Sequence, residues 1–346
     1  MNSIERSVNA LKLEAYDRVS VNPEIDASYT AKLSGIPVGD CFIDEDLHAQ
    51  VLTNVFNHHD VDGLYINLCL SKSIIEDVKK TKDGYIVEDS YGLVWNVPYN
   101  DVGSVLRRDI KKLRDRRLLT VNPLKYGIIE TFKKMDEKVK NNYLIVSGLT
   151  GPFSQIVFLY GLENTLVSMM DSPEELKEIL EYRLKFAIEW ADELYMNGAK
   201  CIWIGEGAAS SSVISPNQYL EFVFPYQKKL VDHLKSKNIL SIMHMCGDIS
   251  KSIQFLGDTG VNGIDVDYMV NLGFAKNETK GKVCLKGNFN PVDLLTFDEN
   301  RIFQMSKQKI SIFKEKGLIL STGCLVSRDT PPQNINAMVN ASYSEA

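Results

Sequence analysis

Short, almost wholly apolar runs of four or five residues recur along this chain and alternate with amphipathic stretches. An apolar run with few polar interruptions predicts a strand that is buried on both faces, as the strands of a parallel sheet are. Such strands need helical connections between them, so the alternation strongly limits the folds that are open to the chain. The predicted strands are residues 63–67, 143–147, 200–204, 239–243, 263–267, 283–286 and 318–321.

The stretches between these runs carry helix signals. Asp171-Ser172-Pro173 precedes a run of apolar residues at helical spacing over residues 176–196, and Asn197-Gly198 follows it. A polar cap residue with proline at the start and glycine after the end is typical of a helix. Residues 215–237 and 300–316 are predicted as two further helices.

Seven strands that alternate with helices predict a (β/α)8 TIM barrel of the α/β class, with an N-terminal elaboration. We interpret residues 1–346 as a single barrel domain and the more polar residues 68–140 as the elaboration. A doubly wound open sheet is the alternative. It is disfavoured because no G-x-G-x-x-G phosphate loop follows the first strand.

Composition narrows the class of function. The chain has 39 Lys and Arg against 45 Asp and Glu, a net charge of −6, which disfavours a nucleic-acid partner. We find neither an apolar run long enough for a membrane span nor a secretory signal, so we expect a cytoplasmic enzyme. The six cysteines are too sparse for a disulfide scaffold and are predicted to be reduced.

Residues that follow barrel strands are the candidates for chemistry, because the active site of such a barrel lies at the carboxyl ends of its strands. His244-Met245-Cys246 ends one predicted strand, and Cys324 follows a later one. In a strand, His244 and Cys246 point to the same side. Two thiolates and an imidazole suit Zn²⁺, and three protein ligands leave a fourth position for substrate.

The other cysteines and the histidine pair receive a structural interpretation. Cys41, Cys69, Cys201 and Cys284 lie before or inside apolar runs and are predicted to be core residues. His58-His59 precedes a strand, at the wrong end of a barrel, and is predicted to be a solvated turn.

The same residues carry a family resemblance. The chain resembles the uroporphyrinogen decarboxylase superfamily, and within it the zinc- and corrinoid-dependent methyltransferases, which include coenzyme M methyltransferases and O-demethylase-type enzymes. The His-x-Cys motif followed much later by Cys corresponds to His244, Cys246 and Cys324. Further matching segments are Glu5-Arg6, Asp17-Arg18-Val19, Gly151-Pro152-Phe153, Ile214-Ser215-Pro216, Phe224-Pro225-Tyr226, Gly287-Asn288 and Thr330-Pro331-Pro332-Gln333-Asn334.

The resemblance implies a methyl transfer between a small substrate and the cobalt of a corrinoid (cobalamin). The substrate would be a methoxylated or methylated donor, or a thiol acceptor such as coenzyme M. A separate corrinoid protein would present the cofactor at the barrel mouth, because this chain has no Asp-x-His-x-x-Gly cobalamin loop. The segment Asp89-Ser90-Tyr91-Gly92-Leu93-Val94-Trp95 resembles members on the demethylase side. A homodimer is a further expectation.

Seven more residues are candidates for the site. Glu206 is expected as a fourth zinc ligand and catalytic acid, or alternatively as an acid bonded to backbone amides. Asp248 is expected to orient His244, or to cap a helix. Substrate or corrinoid contacts are expected from Phe153, Asp265, Asp267 and Asn288, and Phe153 belongs to an aromatic group that could cover a ring substrate. Glu221 is a less favoured metal ligand.

Three alternatives stay open. A uroporphyrinogen decarboxylase would need several arginines at the mouth, and only Arg328 is placed near it in the sequence. A zinc-binding barrel without turnover would bind metal but transfer no methyl group. A metal-free scaffold would bind no zinc and would have freely reactive thiols.

Overall fold

The structure is a computed structural model that describes residues 1–108, 123–313 and 316–344. Its strands, in chain order, are β1 (Ser20–Val21), β2 (Gly63–Ile66), β3 (Ile75–Lys80), β4 (Gly84–Asp89), β5 (Leu93–Pro98), β6 (Ser104–Arg108), β7 (Leu144–Thr150), β8 (Cys201–Gly205), β9 (Leu240–Met245), β10 (Gly263–Val266), β11 (Cys284–Phe289) and β12 (Leu318–Thr322).

Helices surround these strands. In chain order they are α1 (Ser3–Leu11), α2 (Ala27–Ser34), α3 (Val38–Phe42), α4 (Glu45–Thr53), α5 (Val55–His58), α6 (Pro123–Lys134), α7 (Glu137–Asn142), α8 (Pro152–Tyr160), α9 (Leu162–Asp171), α10 (Pro173–Met196), α11 (Pro216–Phe222), α12 (Phe224–Ser236), α13 (Ile253–Asp258), α14 (Leu272–Glu278), α15 (Pro291–Thr296), α16 (Glu299–Ser311) and α17 (Pro332–Ser344), with 3₁₀ turns at Lys72–Ile74 and Gly207–Ala209. No helix in the described ranges is long and apolar enough to cross a membrane.

A parallel sheet forms the centre of the molecule, in the order β1-β12-β11-β10-β9-β8-β7-β2. Its two end strands meet beside Asp62, whose backbone N–H donates to the carbonyl of Val21 at 2.8 Å. The Asp62 carboxylate also accepts the backbone N–H of Val21, at 2.8 Å. The sheet therefore curls into a nearly closed barrel, and the predicted (β/α)8 fold is confirmed.

Each of the seven predicted strands lies in the barrel, because each run is apolar enough to be buried on both faces. Every residue of β10, β11 and β12 is buried. The eighth strand, β1, contains two residues and was not predicted. Such a short strand has no periodicity that could be recognised in the sequence.

The helix predictions agree with the structure in part. The predicted helix over residues 176–196 is confirmed as α10, which ends before Gly198, a residue with a φ of +97°. The single helix predicted over residues 215–237 is wrong: it consists of α11 and α12, which are separated at Val223. Pro225 lies in the first turn of α12 and has no N–H to continue the hydrogen bonds of α11. The third helix, α16, ends at Ser311.

A second, antiparallel sheet lies between β2 and β7 in the sequence, in the order β3-β4-β5-β6. It packs on the barrel through Trp95, whose ring centroid lies 5.9 Å from that of Phe42 and 6.2 Å from that of Phe158. This sheet belongs to the predicted elaboration, of which residues 109–122 lie outside the described part of the chain. That residues 1–346 form a single domain stays a prediction from the sequence.

The structural interpretation of four cysteines is confirmed, because Cys41, Cys69, Cys201 and Cys284 are buried. The prediction for the histidine pair is wrong for His59. Its ring is buried and its two nitrogens lie 2.9 Å from the Tyr29 hydroxyl and 2.7 Å from Asn336 Oδ1. The imidazole thus replaces its hydration with two hydrogen bonds, a common solution for a buried polar ring.

Buried ion pairs close the barrel at the amino end of β2. Asp62 accepts hydrogen bonds from Arg6 Nη1 at 2.5 Å and from Arg18 Nη1 at 2.8 Å. Asp62 is fully buried, and both arginine side chains are nearly so. The motif residues Arg6 and Arg18 therefore have a structural role, far from the carboxyl ends of the strands.

Candidate metal centre

His244 and Cys246 stand together at the carboxyl end of β9. His244 Nε2 lies 3.2 Å from Cys246 Sγ. The residues on either side of His244, Met243 and Met245, belong to the surrounding apolar core, as the alternation of a strand requires. The predicted pairing of imidazole and thiol on one side of the strand is therefore present.

Cys324 follows β12 and joins this pair from across the barrel. Its thiol shares a hydrogen bond with the Cys246 thiol, which lowers the pKa of Cys324 to about 7 and raises the pKa of Cys246. The physical cause is that one sulfur holds the proton and donates it to the other. A thiol pair that loses its first proton this readily supplies a thiolate for a soft metal ion.

The imidazole of His244 is held in one orientation by two neighbours. Its Nδ1 lies 3.2 Å from the backbone carbonyl of Asp265, and its ring stacks on Trp203 with a centroid distance of 5.3 Å. Burial lowers the pKa of His244, so the ring is neutral at physiological pH. A neutral imidazole whose Nδ1–H donates to a carbonyl directs Nε2 toward a metal.

A cluster of buried charged side chains lies close to the His244 imidazole. Lys286 Nζ contacts Asp265 Oδ2 at 2.7 Å and Glu24 Oε1 at 3.1 Å, and all three side chains are buried. Trp203 Nε1 also donates to Asp265 Oδ2, at 3.1 Å. Burial, together with the neighbouring Glu24, raises the pKa of Asp265 to about 7. Ligand atoms of Glu24, His244 and Asp265 all lie within 4.8 Å of one another, so these three residues are a group that could hold a metal ion.

Glu206 follows β8, and its role as a fourth metal ligand stays a prediction. Its carboxylate accepts the backbone N–H groups of Phe153, at 3.3 Å, and of Ser154, at 2.9 Å, at the start of α8. Burial raises the pKa of Glu206 to about 7. These contacts agree with the alternative interpretation of Glu206, in which its carboxylate is bonded to backbone amides. Glu221 lies on the surface, where it pairs with Lys177 at 2.9 Å.

Gly151 provides the space that Glu206 fills. A Cβ atom at this position would overlap the Glu206 carboxyl group. We therefore expect Gly151→Ala to lower the free energy of unfolding by about 1–3 kcal/mol, because a buried side chain must move. Urea denaturation measures the change. Gly257→Ala is the matched control, since a Cβ there meets Thr279 at an ordinary distance of 3.7 Å. Equal stabilities of the two variants would contradict the prediction.

Asp248 and Asp267 make their contacts in the loops near His244 and Cys246. Asp248 Oδ1 accepts the backbone N–H of Ser250 at 2.9 Å, and the carbonyl of Asp265 takes the place beside His244 that was expected for Asp248. Asp267 accepts the N–H of Gly247 at 2.8 Å, which fixes the loop directly after Cys246. The prediction that Asp248 orients His244 is therefore wrong. In the described contacts the Asp248 carboxylate caps a local turn instead.

Asn288 and Phe153 are also placed by structural contacts. The Asn288 amide donates to the carbonyls of Val270, at 2.6 Å, and Asp267, at 3.2 Å, and its Oδ1 accepts from Lys309. Phe153 is fully buried in the apolar core and does not line the cavity described below. The backbone N–H of Phe153, rather than its ring, contacts the candidate residue Glu206. Substrate contacts by these two residues stay a prediction.

A cavity of about 240 Å³ opens beside His244, Cys246 and Cys324. Two kinds of residue line it: the ends of barrel strands, and residues of α3 and of the loop before β6. They are Glu24, Asp26, Phe42, Tyr65, Asn67, Leu68, Val102, Gly103, Trp203, His244, Cys246, Cys324 and Leu325. Most of the cavity wall is apolar, and its polar lining residues include His244, Glu24 and Asp26.

Sequence reasoning missed Glu24, Asp26 and Lys286. The two acids directly follow the unrecognised strand β1, and Lys286 lies within an apolar run that gave no sign of a buried charge. One signal was available: a barrel needs an eighth strand, and Val19-Ser20-Val21 is a short apolar run upstream of residue 63 with acids immediately after it.

Comparisons with known proteins agree with this fold. The methylcobamide:CoM methyltransferase MtbA of Methanosarcina acetivorans is 28% identical over 245 residues, which cover 69% of this chain and 70% of the relative. MtaA of Methanosarcina barkeri, also a methylcobamide:CoM methyltransferase, is 25% identical over 218 residues, or 62% of each chain. A methyltransferase structure from Methanosarcina mazei superposes with a TM-score of 0.83 over 99% of both chains at 21% identity, which shows a shared fold.

These relatives confirm the predicted enzyme class, a methyltransferase built on a (β/α)8 barrel. The family model for uroporphyrinogen decarboxylase (URO-D) matches residues 2–344. The chain therefore belongs to the uroporphyrinogen decarboxylase family.

Proposed function

We propose that this chain is a zinc-dependent methyltransferase that moves a methyl group between a small substrate and the cobalt of a corrinoid carried by a partner protein. The observation that carries the proposal is the meeting of His244, Cys246 and Cys324 at the carboxyl ends of β9 and β12, beside a cavity. We propose further that residues 1–346 act as one barrel domain, with residues 68–140 as an elaboration on it.

The residues present fit a zinc ion. His244 offers a neutral nitrogen, and Cys246 and Cys324 offer two sulfurs that share a proton. Three ligands of this kind with one free position are typical of catalytic zinc. When bound, the metal would supply a Lewis acid for a substrate oxygen or would lower the pKa of a substrate thiol.

The surrounding residues have defined tasks in this proposal. The Asp265 carbonyl and the Trp203 ring orient His244, and Asp267 holds the loop after Cys246. Glu206 is a positioning residue, since its carboxylate ties the loop after β8 to the start of α8. The apolar cavity walls would exclude water from the reacting atoms once the corrinoid partner covers the exposed Cys246.

The corrinoid partner is proposed to dock over the barrel mouth. Cys246 is exposed there, so the metal-binding residues are reachable from outside. Three apolar side chains are exposed at the same end of the barrel: Tyr268 and Met269 after β10, and Leu325 after β12. An apolar rim of this kind is typical of a surface that another molecule covers.

A porphyrin decarboxylase fits these observations less well. Among the described residues, no lysine or arginine lines the cavity, whereas a tetracarboxylate substrate needs several cations. Arg328 donates to the backbone carbonyl of Asn100 and does not line the cavity. A volume of about 240 Å³ is also small for a tetrapyrrole.

Metal removal tests the proposed function. We expect purified protein to contain about one zinc ion per chain and to demethylate methylcobalamin with a thiol, or to methylate cob(I)alamin from a methylated donor. Chelation should abolish turnover, and added Zn²⁺ but not Mg²⁺ should restore it, because the sulfur ligands prefer the softer ion. Metal analysis and the cobalamin absorbance report the two results. Absence of bound zinc, or turnover that is indifferent to chelation, would reject the proposal.

A further inference from the structure

A loop after β10 contacts the segment that follows one of the candidate thiols. We call residues 267–270 the β10 loop. One oxygen of the Asp267 carboxylate accepts the backbone N–H of Gly247, the residue directly after Cys246, at 2.8 Å. The other oxygen accepts the N–H of Met269 at 3.1 Å, which fixes the carboxylate within the loop. The β10 loop therefore holds the chain immediately after Cys246.

The same loop packs against the residue that precedes the second thiol. Gly323, directly before Cys324, is buried. A Cβ atom at Gly323 would overlap the backbone nitrogen of Tyr268 and would lie 2.9 Å from the carbonyl carbon of Asp267. Only a residue without a side chain allows so close an approach of two backbones. The β10 loop thus contacts the neighbours of both cysteines.

Asn288 and Lys309 hold the β10 loop in place. The buried Asn288 amide donates to the carbonyls of Val270, at 2.6 Å, and Asp267, at 3.2 Å, which are the two ends of the loop. Lys309 Nζ, on α16, donates to Asn288 Oδ1 at 2.8 Å. An ammonium group can only donate, so it selects the orientation of the Asn288 amide in which both N–H groups face the loop.

We infer that the β10 loop sets the spacing of Cys246 and Cys324 in the zinc centre. Lys309 is then a positioning residue, which acts on this centre through Asn288 and Asp267. The inference rests on the proposed function in one respect, because it takes the two cysteines to be zinc ligands. Hydrogen-bond partners that orient metal ligands typically change metal affinity about 10–100-fold when they are removed, and the β10 loop extends such an effect to a lysine on an outer helix.

Lysine substitutions separate this role from ordinary packing. Lys309→Met keeps the length of the side chain and removes the donor, whereas Lys309→Arg keeps a donor. Lys276→Met is the matched control, because Lys276 is also half-buried and donates to a backbone carbonyl, that of Ile312, at 2.6 Å. Lys309 likewise contacts the backbone carbonyl of Asn288, at 3.3 Å, and both lysines lie over a phenylalanine ring. The contact that distinguishes Lys309 is the one with the Asn288 amide.

Zinc affinity is measured by competition between the zinc-loaded protein and a chromophoric chelator. The visible absorbance of Co²⁺ in place of zinc reports the coordination geometry. We expect Lys309→Met to weaken zinc binding about tenfold and to shift the Co²⁺ bands, because the two cysteines are no longer held at one spacing. Lys309→Arg should restore most of the affinity, and Lys276→Met should equal the wild type. Gly323→Ala displaces the loop directly and should weaken zinc binding at least as much as Lys309→Met.

The outcomes separate this inference from the proposed function. Equal zinc affinities of Lys309→Met and Lys276→Met would overturn the inference, whatever the turnover. A loss of affinity that Lys309→Arg does not restore would also overturn it, because donation to Asn288 would not be the cause. The expected order of affinities without methyl transfer by the wild-type protein would support the inference and reject the proposed reaction. A wild-type protein that binds no zinc would reject both.

Discussion

Cys324→Ala is expected to lose bound zinc and to lower kcat/KM for methyl transfer by at least about a hundredfold, because two protein ligands remain where three are needed. His244→Ala and Cys246→Ala should behave in the same way, since the three side chains form one contact group. Zinc content per chain and methylcobalamin consumption are the measurements. A double or triple variant should lose no more activity than a single variant, because each substitution alone already removes the proposed zinc centre.

Two other cysteines provide the control for this prediction. Cys201 and Cys284 are buried in β8 and β11 within a cluster of apolar residues, away from the cavity. Cys201→Ala and Cys284→Ala should keep their zinc and their turnover, with only a modest loss of stability. Zinc retention in Cys324→Ala, or zinc loss in Cys201→Ala, would show that the metal is held elsewhere.

Asp62→Asn is expected to lower the free energy of unfolding by about 3–5 kcal/mol, the largest stability effect that we predict. The fully buried carboxylate of Asp62 balances the guanidinium groups of Arg6 and Arg18. In Asp62→Asn the neutral amide no longer balances the positive charge of Arg6 and Arg18. Because this part of the barrel is buried, water cannot solvate the unbalanced charge. Urea denaturation at neutral pH measures the change.

Asp17→Asn tests whether burial is the cause. Asp17 contacts the same arginine, at 2.7 Å from Arg6 Nε, but its side chain is 40% exposed. Solvent screens such a pair, so we expect a loss of about 1 kcal/mol or less. Similar effects of the two substitutions would contradict the explanation, and zinc content should be normal in both because the cluster lies at the opposite end of the barrel.

The sequence predicts the fold well because the barrel strands are buried on both faces. Continuous apolar runs such as Ile239-Leu240-Ser241-Ile242-Met243 mark the strands, and seven of them are enough to indicate a barrel. The break between α11 and α12 was missed because the apolar spacing continues across Val223. Here a local backbone effect at Pro225 interrupts the helix without changing the pattern of buried side chains.

The candidate site could be predicted only where residues follow recognisable strands. His244, Cys246 and Cys324 do so, and the structure brings them together. The role of the Asp265 carbonyl could not be predicted, since a backbone atom leaves no mark on residue type. The cavity walls could not be predicted either, because they combine strand ends with α3 and with the loop before β6, which are distant in the sequence.

The antiparallel sheet of β3–β6 has a consequence for how such an enzyme can change. The loop that leads into this sheet's last strand contributes Val102 and Gly103 to one wall of the cavity, and Phe42 packs against Gly103. The proposed zinc ligands come from β9 and from the end of β12, encoded more than a hundred residues later. One part of the cavity wall and the proposed reaction centre are therefore encoded in separate stretches of the chain. We therefore expect substitutions at Val102 or Gly103 to change the shape of the cavity without changing His244, Cys246 and Cys324.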